Sequence, residues 1–232
     1  DWGCFNLIAD IFANHGFVFV KFNFSHNGTT ISDPVNFTDL DSFGNNNFSK
    51  ELDDLGYVID WIDDSTEFES QDISLIGHSR GGGISLLKSY EDERVTRVIT
   101  WASPSNFLKR MSDEKIAIWK ESGVAFVYNG RTKQNMPMYI QFYHDCLENK
   151  IRLDIKDVVR SLKIPQLIIH GSADPTVDVS ESILLNKWGR NSQLFIIDQA
   201  DHVFGSTHPY ISNQLPLHFQ EVVDKTIDFI IQ

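Results

Sequence analysis

The sequence predicts an α/β protein: a mostly parallel central sheet with helices on both faces and a small lid insertion. Helical and strand signals alternate along most of the 232 residues. The run Asp72-Ile73-Ser74-Leu75-Ile76 is short, apolar and bounded by polar residues, which suits a buried strand. The residues after it, Gly77-His78-Ser79-Arg80-Gly81, then occupy a strand-to-helix junction, because Ile84-Ser85-Leu86-Leu87-Lys88-Ser89-Tyr90 can wind into a helix. Strands separated regularly by helices imply a parallel sheet covered on both sides, and a chain of this length can bury one large core as a single domain.

In chain order, Phe5, Ile8, Ile11 and Phe12 share a helical face, and Gly16 can cap that helix. Phe17-Val18-Phe19-Val20-Lys21-Phe22 reads as a buried strand, followed by a polar loop from about Ser25 to Asn46. Leu52, Leu55, Ile59 and Ile62 recur at helical spacing before the strand that leads to Ser79. Further strands are expected over Val95–Trp101, over Gln166–His170 after Pro165, and over Gln193–Ile197 after the turn Gly189-Arg190-Asn191. A short helix, Val179–Trp188, separates the last two. Phe219, Val222, Val223, Ile227 and Ile230 share one face of a closing amphipathic helix. The interval 105–164 is longer than one crossover helix needs, and is expected to be a lid. It carries an Asn129-Gly130 hairpin signal after Val124–Tyr128. Its aromatic residues, Phe107, Trp119, Phe126, Tyr128, Tyr139, Phe142 and Tyr143, can form the insert's own core or wall a substrate pocket.

Composition narrows the possible partners. Twenty basic against 32 acidic residues leave a net charge of −12, which disfavours nucleic acid and anionic membrane surfaces. No apolar run reaches the roughly 18 residues of a membrane span. Cys4 and Cys146 lie far apart and outside any metal-ligand spacing, so two buried thiols are expected rather than a disulfide framework. A cytoplasmic setting is the expectation. Asn23, Asn27, Asn36 and Asn47 head N-x-[ST] sequons in an Asn-rich region where chance matches are expected, and they signify glycosylation only in a secreted eukaryotic protein. The chain opens on Asp1-Trp2-Gly3 without a methionine, so the lack of a signal peptide decides little.

A lone G-x-S-x-G is weak evidence; between a strand and a helix it reads as a serine mounted on a strained turn, with small residues two before and two after it. A serine hydroxyl is a poor nucleophile near neutral pH and requires a histidine base oriented by a carboxylate. Two strand ends supply them: Leu167-Ile168-Ile169-His170-Gly171-Ser172-Ala173-Asp174-Pro175, and Phe195-Ile196-Ile197-Asp198-Gln199-Ala200-Asp201-His202. Asp178 competes with Asp174, which could instead initiate a turn before Pro175. His208 competes with His202. His78 is expected to pack with its ring away from the reaction centre, and His170 to be a satisfied buried residue at a strand end. His15, His26, His144 and His218 have no partner pattern. No H-E-x-x-H or comparable ligand set appears, so metal catalysis is disfavoured.

Together, Gly77-His78-Ser79-Arg80-Gly81-Gly82, His170-Gly171-Ser172-Ala173-Asp174-Pro175-Thr176-Val177 and Ala200-Asp201-His202-Val203-Phe204 resemble the α/β-hydrolase superfamily. The branch they resemble is the bacterial esterase-like, dienelactone-hydrolase-like and serine-aminopeptidase-like one. The resemblance spans nearly the whole chain; it is strong for the superfamily and weak for any substrate. It implies the α/β-hydrolase fold, with Ser79 as nucleophile, His202 as base and Asp174 as its orienter, and with Arg80 donating its backbone N–H to the oxyanion hole. The second oxyanion donor of such enzymes comes from a His-Gly-type loop after a central strand. This chain opens inside or just before the helix that follows that loop, so native N-terminal strands are expected upstream of residue 1, and the donor has no number here.

The implied activity is that of a serine hydrolase without cofactor. It would act on a small or medium acyl substrate, a carboxylic ester first, with a peptide or amide as the alternative. A non-catalytic ligand-binding member of the fold is the rival reading, against which stands the presence of all three residues. Fold alone does not settle chemistry.

Overall fold

The computed structural model describes residues 2–67, 72–107 and 112–232. In chain order these form α1 (Phe5–Asn14), α2 (Leu40–Gly44), α3 (Phe48–Asp63), β1 (Ile73–His78), α4 (Arg80–Glu91), β2 (Val95–Trp101), α5 (Asp113–Ser122), β3 (Val124–Asn129), β4 (Gln134–Tyr139), α6 (Gln141–Glu148), α7 (Ile155–Ser161), β5 (Gln166–Gly171), α8 (Ser180–Trp188), β6 (Ser192–Ile197) and α9 (Leu217–Ile230). They fall into two compact units: Asp1–Val20, Ser65–Phe107 and Asp154–Gln232 in one, Lys21–Asp64 and Leu108–Leu153 in the other.

Parallel strands need crossover connections, and the helices of the first unit supply them. Its sheet has the order β1-β2-β5-β6, and every neighbouring pair is parallel. Helix α4 packs on β1 and β2, α8 on β5 and β6, and α7 touches both helices. On the other face, Ile99, Trp101, Leu167, Ile169 and Ile197 join a core with Ile8 and Phe12 of α1 and with Phe219, Val222, Val223 and Ile227 of α9. Covered from both sides, β5 is buried at every position, which is why its centre, Leu167-Ile168-Ile169, is apolar without alternation. The Trp101 indole N–H donates to Thr226 Oγ1 at 3.1 Å, and that hydroxyl donates to the Val222 carbonyl at 2.7 Å, so the end of β2 is tied to α9.

One expected strand is absent. Residues 17–22 have no regular structure, with Val18 60% exposed. Hydrophobicity alone does not make a strand; a neighbour must accept its ladder bonds, and among the described residues none lies beside this segment. The aromatic side chains still find the core, Phe17 and Phe19 packing on Phe12 with ring centroids 5.8 and 5.0 Å away. Gly16 takes a left-handed φ of 84° just past the end of α1.

In the second unit, Trp119 of α5 and Phe142 of α6 are buried together, and Phe48 of α3 packs at a tilt on Phe142 with ring centroids 4.7 Å apart. Asn47 caps α3 by accepting from the Lys50 amide, and its own amide donates to Gln141. The hairpin β3–β4 forms, but not through a two-residue Asn-Gly turn: four residues, 130–133, connect the strands. The Asn129 side chain accepts from the Arg131 and Thr132 amides, and Lys133, not Gly130, takes the left-handed conformation. Helix α7, inside the interval 105–164, belongs to the first unit, and residues 108–111 of that interval lie outside the described ones. No helix among the described residues is long and apolar enough to cross a membrane.

Candidate active site

At the carboxyl end of β1 the chain turns sharply into α4. Ser79 sits at the turn with φ 54° and ψ −125°, a conformation L-residues avoid and one that costs on the order of 1–3 kcal/mol. The turn holds because the Ser79 amide donates to the Trp101 carbonyl at 2.7 Å and the Gly82 amide to the Ser79 carbonyl at 2.9 Å. A Cβ on Gly77 would stand 2.2 Å from the Gly81 carbonyl oxygen, so this position must be glycine. The second close approach falls at Gly82, where a Cβ would meet the Ser103 side chain at 2.6 Å, and not at Gly81, where it would meet nothing within 4 Å.

Two loops at the same sheet edge bring the partners. A Cβ on Gly171 would stand 2.2 Å from the Ala200 carbonyl, and the Ala173 amide donates to that carbonyl at 3.0 Å. The small residues after β5 thus let its loop press against the one after β6. Asp174 is fully buried there, its Oδ1 accepting from the Thr176 and Val177 amides at 2.7 and 2.9 Å. His202 lies on the loop after β6, which is shaped downstream by the Val203 and Gly205 amides donating to Asp201 Oδ1.

His202 Nδ1 lies 2.7 Å from Asp174 Oδ2, and its Nε2 lies 2.9 Å from Ser79 Oγ. A carboxylate has no proton to give, so Nδ1–H is the donor, and in the neutral ring Nε2 is a bare acceptor facing the serine hydroxyl. Burial pushes the Asp174 carboxyl up, yet the hydrogen bonds from His202 and from the Val177 and Thr176 amides outweigh it and hold the group below the usual carboxylate range. Arg80 opens α4 at its first position, so its amide belongs to the helix-terminal donors that no helical carbonyl satisfies.

The competing residues stand elsewhere. Asp178 accepts from the Ser180 amide at the start of α8, and His208 accepts from the Gly3 amide and stacks on Trp2. Two histidines differ from expectation. His78 packs, but against His202 itself: the rings meet at a tilt with centroids 4.9 Å apart, and His78 Nε2–H donates to the His202 carbonyl at 2.8 Å. Burial depresses its pKa to about 4, so it is neutral near pH 7. His170 is fully buried behind Asp174, but its Nδ1 has no partner among the described residues, so it is not fully satisfied. A histidine immediately before the serine and another four residues before the aspartate are the sequence signals of these contacts; neither says which way a ring turns.

A serine on a strained strand-to-helix turn at the carboxyl edge of a parallel sheet defines the α/β-hydrolase fold. The solved structures agree. The metagenome-derived lipolytic enzymes LipS and LipT are represented by a structure with TM-score 0.68 and 14% identity, covering 97% of this chain and 86% of theirs. Est1E from Butyrivibrio proteoclasticus, with ferulic acid bound, follows at TM-score 0.62 and 20% identity over 82% and 70%. An esterase domain from Rhodothermus marinus matches at 0.56 and 20% over 87% and 72%. At these identities the likeness is one of fold. Comparison with curated protein sequences finds no match. The model of the prolyl oligopeptidase family matches residues 4–221. The chain belongs to that family and is a serine hydrolase.

Proposed function

We propose that Ser79 is the nucleophile of this hydrolase, His202 its general base and Asp174 the carboxylate that orients the base, and that the substrate is a carboxylic ester with a small or medium acyl group. The observation carrying this reading is the unbroken relay from Ser79 Oγ through both nitrogens of His202 to Asp174, at 2.9 and 2.7 Å. Ser79 Oγ attacks the acyl carbonyl while its proton passes to His202 Nε2; the imidazolium, held by Asp174, returns that proton to the leaving alcohol. Water then enters, gives a proton to the same nitrogen and cleaves the acyl-enzyme, regenerating Ser79. The Arg80 backbone N–H stabilises the negative charge on the carbonyl oxygen; loss of one such donor typically costs about 10²–10³ in rate.

A peptide or amide substrate is the second reading, favoured by the family to which the chain belongs. The same atoms would perform it, the leaving amine taking the proton in place of the alcohol. The test has two stages. A fluorophosphonate probe should label the protein once, and Ser79→Ala should abolish labelling; retained labelling of the variant overturns the assignment. A panel of p-nitrophenyl esters beside aminoacyl anilides then decides the substrate, turnover of the anilides alone excluding the ester.

A further inference from the structure

The Asp174 side chain has no exposed surface, and both of its oxygens are met by protein donors. Oδ1 has two backbone amides, of which Val177 is one. Oδ2 receives His202 Nδ1–H and has one further nitrogen in reach, His170 Nε2 at 3.2 Å. That nitrogen lies 2.8 Å from the Val177 carbonyl. A carbonyl only accepts, so Nε2 carries the hydrogen and directs it to Val177, the Asp174 contact being the longer second one. Nδ1, with no partner among the described residues, is then the bare nitrogen of a neutral ring. Burial, which lowers the pKa of His170, favours the same state. His170 therefore touches the aspartate from two directions: through Val177, whose carbonyl it holds and whose own N–H holds Oδ1, and directly at Oδ2, on which His202 depends.

We propose that His170 is a positioning residue for the reaction, clamping Asp174 in the one rotamer that presents Oδ2 to His202. The inference rests on the assignment of Ser79, His202 and Asp174 above. A ring serving only as core filling would need neither contact, and an apolar residue would fill β5 without leaving a buried nitrogen bare.

Of the histidines around Asp174, His202 and His170 reach Oδ2, and His170 alone does so without joining the relay to Ser79. Removing it frees Asp174 to leave the rotamer that meets His202, and the base is less well aimed.

The rate of fluorophosphonate labelling, normalised to the final extent of labelling, reads this effect without knowledge of the substrate. His170→Gln places an amide N–H where Nε2 stands and should label at nearly the parent rate. His170→Asn places its amide short of both acceptors and should label more slowly, on the order of tenfold. Equal rates in both variants would overturn the proposal, as would equal slowing of both, the mark of a merely structural residue. Ser79→Ala and Asp174→Asn are run beside them. Labelling of Ser79→Ala would sink the underlying assignment; correct behaviour of both controls with no difference between His170→Asn and His170→Gln would sink this inference alone.

Discussion

Ser79, Asp174 and His202 are held by different means, and the means predict how each fails. Ser79 is held by backbone: its strained φ persists because β2 and α4 fix the peptide on either side. Asp174 is held by hydrogen bonds to both oxygens. Asp174→Asn keeps its shape but presents an amide that can donate to Nδ1, selecting the tautomer in which Nε2 carries hydrogen and no longer accepts from Ser79. Hydrolytic turnover should fall by about 10⁴-fold with folding retained; kcat within tenfold of the parent would show that His202 does not rely on this carboxylate. His202 is held partly by another ring, since His78 grips its carbonyl and packs at a tilt against its ring. The pairing of Ser79, Asp174 and His202 was legible from chain order and strand context. The two flanking histidines were not: the direction of His78 depends on a loop more than a hundred residues away, and that of His170 on how the chain after β5 folds back over its ring.

At the scale of elements, the glycines around the turn separate cleanly. Gly77 faces a backbone carbonyl that cannot move aside, so Gly77→Ala should destabilise by about 1–3 kcal/mol or more in urea unfolding and lower labelling of Ser79. Gly81 lies in α4 with open space at its Cβ position and a φ outside the left-handed region, so Gly81→Ala should leave stability unchanged or raise it by about 0.5–1 kcal/mol. Destabilisation by Gly81→Ala as large as that by Gly77→Ala would contradict this geometry. The strands β1, β2, β5 and β6 and the helices α1, α3, α4, α8 and α9 stand close to where periodicity put them, because each is long enough for its own pattern to dominate. Residues 17–22 show the limit: the run has strand composition, but pairing is decided by a neighbour that composition does not describe.

For the whole molecule, three buried titratable groups act in one direction with pH. His78 and His170 have pKa values depressed in the folded state, His78 to about 4, because burial penalises their charged forms. Above the ordinary histidine value of 6.5 both states are neutral and the stability is complete. As pH falls below that, the unfolded chain takes up protons that the folded one refuses, and stability declines until the folded pKa is reached; for His78 this amounts to about 3 kcal/mol. Asp174 adds its loss lower, as pH falls through its depressed folded value. Urea midpoints should therefore drop between pH 7 and pH 4.5, and His78→Gln should flatten part of that slope while keeping a donor for the His202 carbonyl. An unchanged slope in His78→Gln would mean the ring is already protonated in the fold.

The amino-acid order by itself determined the succession of strands and helices, the strand-to-helix junction at Ser79 and the acid-then-histidine order that follows it, because these depend on local periodicity and on small residues at fixed offsets. Only the tertiary structure decided that Gly82 rather than Gly81 is the close-packed position, that residues 17–22 gain no ladder, and that His78 packs on His202 and His170 on Asp174. Each of those outcomes is a distance between atoms whose positions are set by the packing of several elements at once.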